Sequence, residues 1–253
     1  MDDDLAFALE LADAADEITR RRFRARDLTV ETKPDLTPVT EADRAVEEAL
    51  RERIDRDCPG DGVLGEELGD RAGDGERRWI IDPIDGTNNY VRGVPVWATL
   101  IALERGGQLQ VGVVSAPALG ARWWASRGTG AYADGRAIRV SQVKSLDDAH
   151  LCYDSIPAFD EHGLTDRFLR LARRCWRTRA FGDFWQHVLV AEGAVDVAIE
   201  PAVNLWDLAP LLVIVEEAGG RLTDLAGEAS ASGGSVVTTN GLLHDEVLAA
   251  LRA

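Results

Sequence analysis

Asp82 and Asp85 stand three apart in the stretch WIIDPIDGTNNY, Trp79 to Tyr90, at the end of a hydrophobic run and directly ahead of a Gly-Thr pair. Two carboxylates held close together repel unless a positive charge lies between them. Pro83 forces the chain out of the strand in a tight turn, which can aim both carboxylates and the Ile84 carbonyl to one side; the bland reading is an Asx turn that starts a helix. Three more acidic groups invite the same question. Asp43, in DLTPVTEAD, falls in the first turn of a helix beside its apolar stripe, where Thr40-x-x-Asp43 also reads as a capping box. Glu66 and Glu67, in GVLGEELG, follow a short apolar strand and on their own read as a solvated loop. Asp207, in NLWDLAP, opens an apolar helix and on its own reads as an N-cap. Taken together, these Asp and Glu groups form an oxygen-only set with no His or Cys, which suits hard cations such as Mg²⁺ or Mn²⁺. Two such ions, about 3.5–4 Å apart, form a clamp for phosphoryl transfer. Gly86 and Thr87 add amide N–H groups at the start of a turn or helix, a small anion site for the phosphate, and the Thr87 hydroxyl can relay a proton from water to a nearby Asp.

The elements that must position these groups alternate between helix and strand. Leu5, Ala8, Ala12, Ala15 and Ile18 keep helical spacing, Leu28, Val30 and Thr32 alternate as in a strand, and a second helix carries Ala42, Val46, Ala49, Leu50 and Ile54. RAGDGERR reads as a polar loop before the buried strand Trp79 to Ile81. Val96 to Val140 reads as an antiparallel meander, punctuated by RGG and ADGR. Gln142 to Asp148 is polar and marks the boundary between an N-terminal domain, 1–145, with most of the acidic groups, and a C-terminal α/β domain, 146–253. In the latter the expected elements are a strand over Ala149 to Tyr153, helices over about Thr165 to Cys175 and through FWQHVLVAEG, the strand AVDVAIE, a helix through LAPLLVIVEEAGG, two more strands, and a last helix capped by Asn240. The pattern is that of a layered α/β chain.

Composition narrows the partners. The chain has 253 residues, 45% hydrophobic and 28% charged, with Asp+Glu 44 against Lys+Arg 28 and a net charge of -16. A field of that sign disfavours nucleic acid and anionic membrane as partners. The acidic, periodic start reads as a helix and not as a signal peptide. Cys58, Cys152 and Cys175 are scattered, which points to reduced thiols in the cytoplasm and away from zinc. No GxSxG elbow occurs, and the four histidines lack metal spacing.

With these motifs in view the sequence resembles the inositol monophosphatase family of Mg²⁺-dependent phosphomonoesterases. DPIDGTNNY is similar to that family's first signature and WDLAPLLVIVEEAGG to its second, while TPVTEAD and GEE stand at the expected places. Tyr90 takes the place of a usual Phe and Pro210 that of a common Ala. The resemblance implies an αβαβα sandwich and a homodimer. It implies Glu66, Asp82 and the Ile84 carbonyl as ligands of one metal, Asp82, Asp85 and Asp207 of a second, and Glu66 with waters of a looser third: two to three Mg²⁺, with Mn²⁺ an alternative. It makes Asp43, Thr87 and Glu66 the catalytic set, gives the phosphate to the Gly86 and Thr87 amides, treats Glu67 as a support, and places Lys33 in an early loop that closes over the site. Asp85, Asp183 and Glu200 then read the alcohol portion of a small phosphorylated substrate. Acids around a leaving group favour a cationic one, and the chain is more similar to the members that hydrolyse histidinol phosphate than to those that act on inositol phosphates. Inositol 1-phosphate, another small phosphoester, or a binding protein without turnover are the competing readings. Arg179 reads as a surface-paired arginine, with phosphate or a dimer partner as the alternative, His187 as packed or exposed, and Trp123-Trp124 as core and dimer packing.

Overall fold

The structure, a computed structural model, describes residues 3–34 and 36–252. In chain order its elements are α1 (Asp3–Arg22), β1 (Val30–Thr32), β2 (Pro38–Thr40), α2 (Glu41–Asp57), β3 (Gly62–Gly65), β4 (Gly69–Arg71), β5 (Arg77–Asp85) and the short α3 (Thr87–Arg92). The meander follows: β6 (Ala98–Arg105), β7 (Gln108–Ala116), β8 (Ala121–Ser126), β9 (Ala131–Ala133) and β10 (Arg136–Ile138). Then come β11 (His150–Tyr153), α4 (Ile156–Glu161), α5 (Thr165–Ala172), β12 (Arg177–Ala180), α6 (Asp183–Ala191), β13 (Val197–Glu200), α7 (Leu205–Glu217), β14 (Arg221–Thr223), β15 (Val236–Thr239) and α8 (His244–Arg252).

Two sheets organise the molecule. One has eight strands in the order β10-β9-β8-β7-β6-β5-β3-β4, and the other five in the order β12-β11-β13-β15-β14. Alternate residues of the larger sheet face opposite ways. Trp79, Ile81, Ile101, Leu103, Val111 and Val113 pack against α1 and α2, whereas Leu100, Val114 and Ala116 pack against α6 and α7. Burial on both faces explains why WII and ATLIAL are continuous apolar runs and do not alternate with polar residues. α7 lies between the two sheets, so it is apolar almost all round. On the far side of the smaller sheet, Leu151, Val197, Ile199 and Val237 meet α4, α5 and α8 through Phe159, Phe168, Val247 and Leu251. The layers therefore run αβαβα. The sheets lie on either side of the segment Gln142 to Asp148 in sequence, yet α7 from the second half packs across the first sheet. Its contact is close at Gly112, where an added Cβ would lie 2.3 Å from the Pro210 carbonyl oxygen.

Several boundaries differ from the expected ones. Part of RAGDGERR is strand, since Arg71 ends β4 and Arg77 and Arg78 begin β5. The helix expected to reach Cys175 ends at Ala172, and the strand expected from Leu28 begins at Val30. The sequence reading missed α4 and β12. Arg177, Arg179 and Ala180 of β12 are exposed, and as an edge strand paired only with β11 it has no apolar face to betray it. Asn240 does not sit at the cap of the last helix, which begins at His244; its Oδ1 accepts from the Leu242 and Leu243 amides at 3.1 and 3.2 Å, in the turn ahead of the helix.

Candidate active site

Of the acidic groups, Glu66, Asp82, Asp85 and Asp207 line one cavity of about 570 Å³, while Asp43 and Glu67 are not among its lining residues. Asp82 and Asp85 arrive at the end of β5, which does not leave the sheet at Pro83 as expected but runs on to Asp85, its pairing with β6 irregular between the two aspartates, and Asp207 arrives from the first turn of α7. One carboxylate oxygen from each of the three lies within 4.8 Å of the others.

Each aspartate spends one oxygen on the backbone. Asp82 Oδ1 accepts from the Ile84 amide at 3.0 Å. Asp85 Oδ2 accepts from the Phe184 amide in the first turn of α6 at 2.7 Å, and Asp207 Oδ2 from the Asn204 amide at 2.7 Å. Asp207 is thus not the N-cap of its helix: Asn204 is, and Asp207 is the third helical residue of a capping box. Asp43 repeats the arrangement on α2, with its Oδ2 on the Thr40 amide at 2.8 Å and its Oδ1 3.3 Å from Thr87 Oγ1. Cap and chemistry are therefore not alternatives here, because local bonds fix one oxygen and leave the other for the site.

The remaining expected residues fall around this group. Thr87 opens α3 behind Gly86, whose φ of 80° suits glycine, and its hydroxyl donates to the Ile84 carbonyl at 2.9 Å. Glu66 and Glu67 are not a free solvated loop: Lys33 Nζ donates to Glu66 Oε1 at 2.7 Å and to Glu67 Oε1 at 2.6 Å. Burial opposes the charge on Lys33, but those two bonds outweigh it and hold its pKa above the ordinary lysine value. Glu66 and Lys33 line the cavity and Glu67 stands behind them.

Asp183 and Glu200 line the same cavity, joined by Asp154, which the sequence reading missed. β11 runs parallel to both β12 and β13, so Asp154 and Asp183 just beyond β11 and β12, and Glu200 ending β13, meet at the strands' carboxyl ends, where ligands bind in open α/β sheets. Asn89 Nδ2 donates to Asp183 Oδ2 at 3.0 Å. His187 is buried, with Nδ1 2.8 Å from Thr238 Oγ1 and Nε2 2.8 Å from Glu200 Oε1, so it orients Glu200. Arg179 is not among the cavity-lining residues and pairs with no carboxylate among the described residues; it sits exposed on β12 and donates to the Thr178 carbonyl. Trp123 is core, while Trp124 is partly buried and stacks on Tyr132.

Crowding perturbs these acids. Burial, then the charges of Glu66, Asp85 and Asp207, push Asp82 well up from the usual carboxylate value. Burial, then Asp183 and Asp207, do the same to Asp85. Asp183 rises to about 7 through burial, Glu200 and Asp154. Asp207 rises to about 7 through burial and the charges of Glu66 and Glu200, against its bonds to Asn204. Lys33 is the only lysine or arginine among the described lining residues. A surplus of carboxylate oxygens with so little counter-charge is the donor set of a hard divalent cation, and the residues fit one.

Such a fold with such a site defines a phosphatase class, and comparison with known proteins agrees. The description of the inositol monophosphatase family matches residues 1–253. A histidinol-phosphatase of Mycobacterium tuberculosis is 59% identical over 256 residues, covering 99% of this chain and 98% of that one, and one of Streptomyces coelicolor is 56% identical, covering 97% and 96%. Among solved structures, an IMPase of Thermotoga maritima superposes with a TM-score of 0.89 at 33% identity, covering 99% of this chain and 97% of that one. The chain belongs to the inositol monophosphatase family, whose members are generally metal-dependent, and it is an enzyme, a phosphatase.

Proposed function

We propose that this enzyme hydrolyses histidinol phosphate to histidinol and phosphate with Mg²⁺, as a step of histidine biosynthesis. The observation that carries the reading is the pairing of the Asp82, Asp85 and Asp207 cluster with a second acidic group, Asp154, Asp183 and Glu200, lining the same cavity. Glu66, Asp82, the Ile84 carbonyl, Asp85 and Asp207 would hold two Mg²⁺, with Glu66 serving a third. When bound, these ions neutralise the phosphate and favour the ionised form of water.

The protein's own groups do the rest. The Gly86 and Thr87 amides face the phosphate oxygens, and the attacking water passes its proton through the Thr87 hydroxyl to Asp43. Burial, against the bonds from Thr40, raises the Asp43 pKa, which improves it as a proton acceptor. The phosphorus–ester oxygen bond breaks, and the leaving oxygen takes a proton from solvent water so that the alcohol departs on the side of Asp183 and Glu200. A neutral polyol needs no counter-charge there, whereas the ammonium and imidazole of histidinol do. The 59% identical relative named as a histidinol-phosphatase supports the same substrate. The reading takes the enzyme as a cytoplasmic homodimer, in line with its free thiols at Cys58, Cys152 and Cys175.

Phosphate release from histidinol phosphate and inositol 1-phosphate, compared as kcat/KM with Mg²⁺ present, tests this directly. A preference for histidinol phosphate of about 100-fold or more is expected; equal rates or the reverse order would reject the substrate while leaving the phosphatase chemistry intact.

Stability should report the metal independently. Asp183 and Asp207 titrate near 7 in the folded metal-free enzyme, above the ordinary carboxylate value, so the folded state holds extra protons in between. Metal-free stability must then fall as pH rises from about 4 towards about 7. Mg²⁺ needs those groups deprotonated, so its stabilisation grows over the same range. At a hundredfold excess over Kd it should raise Tm by about 5–10 °C near pH 8 and by clearly less near pH 5.5. An increment that is flat with pH in a thermal melt series would contradict the assignment.

A further inference from the structure

Behind the turn that carries Glu66 lies a fully buried carboxylate, Glu47, that is not among the described residues lining the cavity. Glu47 Oε2 accepts from the Glu67 amide at 2.8 Å, and its Oε1 accepts from the Leu68 amide at 3.1 Å and from Arg51 Nε at 2.9 Å. Arg51 also donates to the Gly69 carbonyl, at 2.5 Å. The carboxylate sits so close under the chain that a Cβ added at Gly65 would lie 2.0 Å from Glu47 Oε1. On the other side, the Glu66 amide donates to the Ile81 carbonyl at 3.2 Å, one residue before Asp82.

Asp43, Glu47 and Arg51 follow at intervals of four along α2, one row on one helix face. The first touches Thr87, the second holds the amides of the β3–β4 turn, and the third holds the first residue of β4. The distance between the water-activating pair and Glu66 is therefore set by a rigid helix and not by the turn itself. We infer that Glu47 is a positioning residue: it fixes the backbone from which Glu66 reaches the metal, and through it the affinity for Mg²⁺. An i,i+4 Glu–Arg pair on a helix is usually worth little. This one is buried and takes backbone amides, so it acts like the hydrogen-bonded partners that orient metal ligands. The inference rests on the metal reading given above.

Calorimetric titration of Mg²⁺ into the metal-stripped enzyme, with Tm recorded alongside, tests it in wild type, Glu66→Gln and Glu47→Gln. Glutamine at 47 would turn an NH₂ group towards one of the amides now bound, releasing one end of the turn. Expected is a Kd for Mg²⁺ about 10–100-fold weaker in Glu47→Gln, with a kcat deficit that shrinks as Mg²⁺ is raised. A lower Tm with unchanged Kd would make Glu47 merely structural and overturn the inference, while Glu66→Gln still weakened binding. If Glu66→Gln also bound Mg²⁺ normally, the metal reading would fall and take this inference with it. Should Glu47→Gln not fold, Arg51→Lys is measured in its place, because it loosens the same carboxylate while leaving it charged; weaker Mg²⁺ binding is expected and an unchanged Kd overturns the inference.

Discussion

Asp85→Asn is expected to lower kcat/KM by about 100–1000-fold while the chain stays folded. The loss corresponds to about 3–4 kcal/mol of barrier, the scale of a charge-stabilising interaction removed from a closed site. Asparagine keeps a carbonyl oxygen for the Phe184 amide that Asp85 Oδ2 now accepts at 2.7 Å, so the link between β5 and the start of α6 can survive. What disappears is one negative charge among Asp82, Asp85 and Asp207. In the metal-free enzyme that charge is unfavourable, since burial and the charges of Asp183 and Asp207 raise the Asp85 pKa well above its usual value. The variant without metal should therefore melt at the same temperature as wild type or higher near pH 8, and gain less from Mg²⁺. Activity falling while metal-free stability holds is the signature of a group kept for chemistry at the expense of the fold. Steady-state kinetics over a Mg²⁺ series, with melts in parallel, measures both; normal turnover with unchanged Mg²⁺ dependence would remove Asp85 from the metal set.

Much of this architecture is legible in the chain because burial leaves a strong pattern. The runs WII and ATLIAL and the all-apolar α7 come from elements covered on both faces, and glycine-bearing turns such as RGG and ADGR separate the meander strands. β12 was illegible for the opposite reason: its RTRA is a mostly exposed edge whose only partner is β11. In the site, the acids preceded by a recognisable turn or cap were easy to find, but their local and chemical roles looked mutually exclusive. The structure shows that in Asp43, Asp82 and Asp207 one oxygen takes the local backbone bond, so a capping or turn bond does not use up the carboxylate. Asp154 gave no signal, being one aspartate after a strand. Glu47 carries in the sequence only the i,i+4 spacing to Arg51 of an ordinary helix ion pair, and only the fold, by bringing the β3–β4 turn over it, makes it fully buried. His187 lacked metal spacing, and its bond to Glu200 depends on α6 lying against β13 and β15.

Removing the charge of Asp183 should separate cationic from neutral substrates. Asp183 follows Gly182 and itself adopts a left-handed backbone, φ 49°, which Asn and Asp tolerate better than other side chains. Asp183→Asn is therefore the cleaner variant, keeping the backbone and an acceptor for Asn89, while Asp183→Ala adds a backbone penalty of about 1–2 kcal/mol. With Glu200 and Asp154 beside it, the carboxylate adds to a wall that a cationic alcohol satisfies and a polyol does not. A hydrogen bond to a charged group contributes about 1.5–3 kcal/mol, so kcat/KM for histidinol phosphate should fall about 10–150-fold in Asp183→Asn, chiefly through KM. For inositol 1-phosphate the change should be small, because no full charge on that alcohol loses a partner. Asp183→Ala should show the same selective loss on top of a lower Tm. Kinetics on both substrates for both variants decides the matter. Equal losses on the two substrates would mean that Asp183 shapes the cavity, through Gly86 and Asn89, without reading the charge of the alcohol.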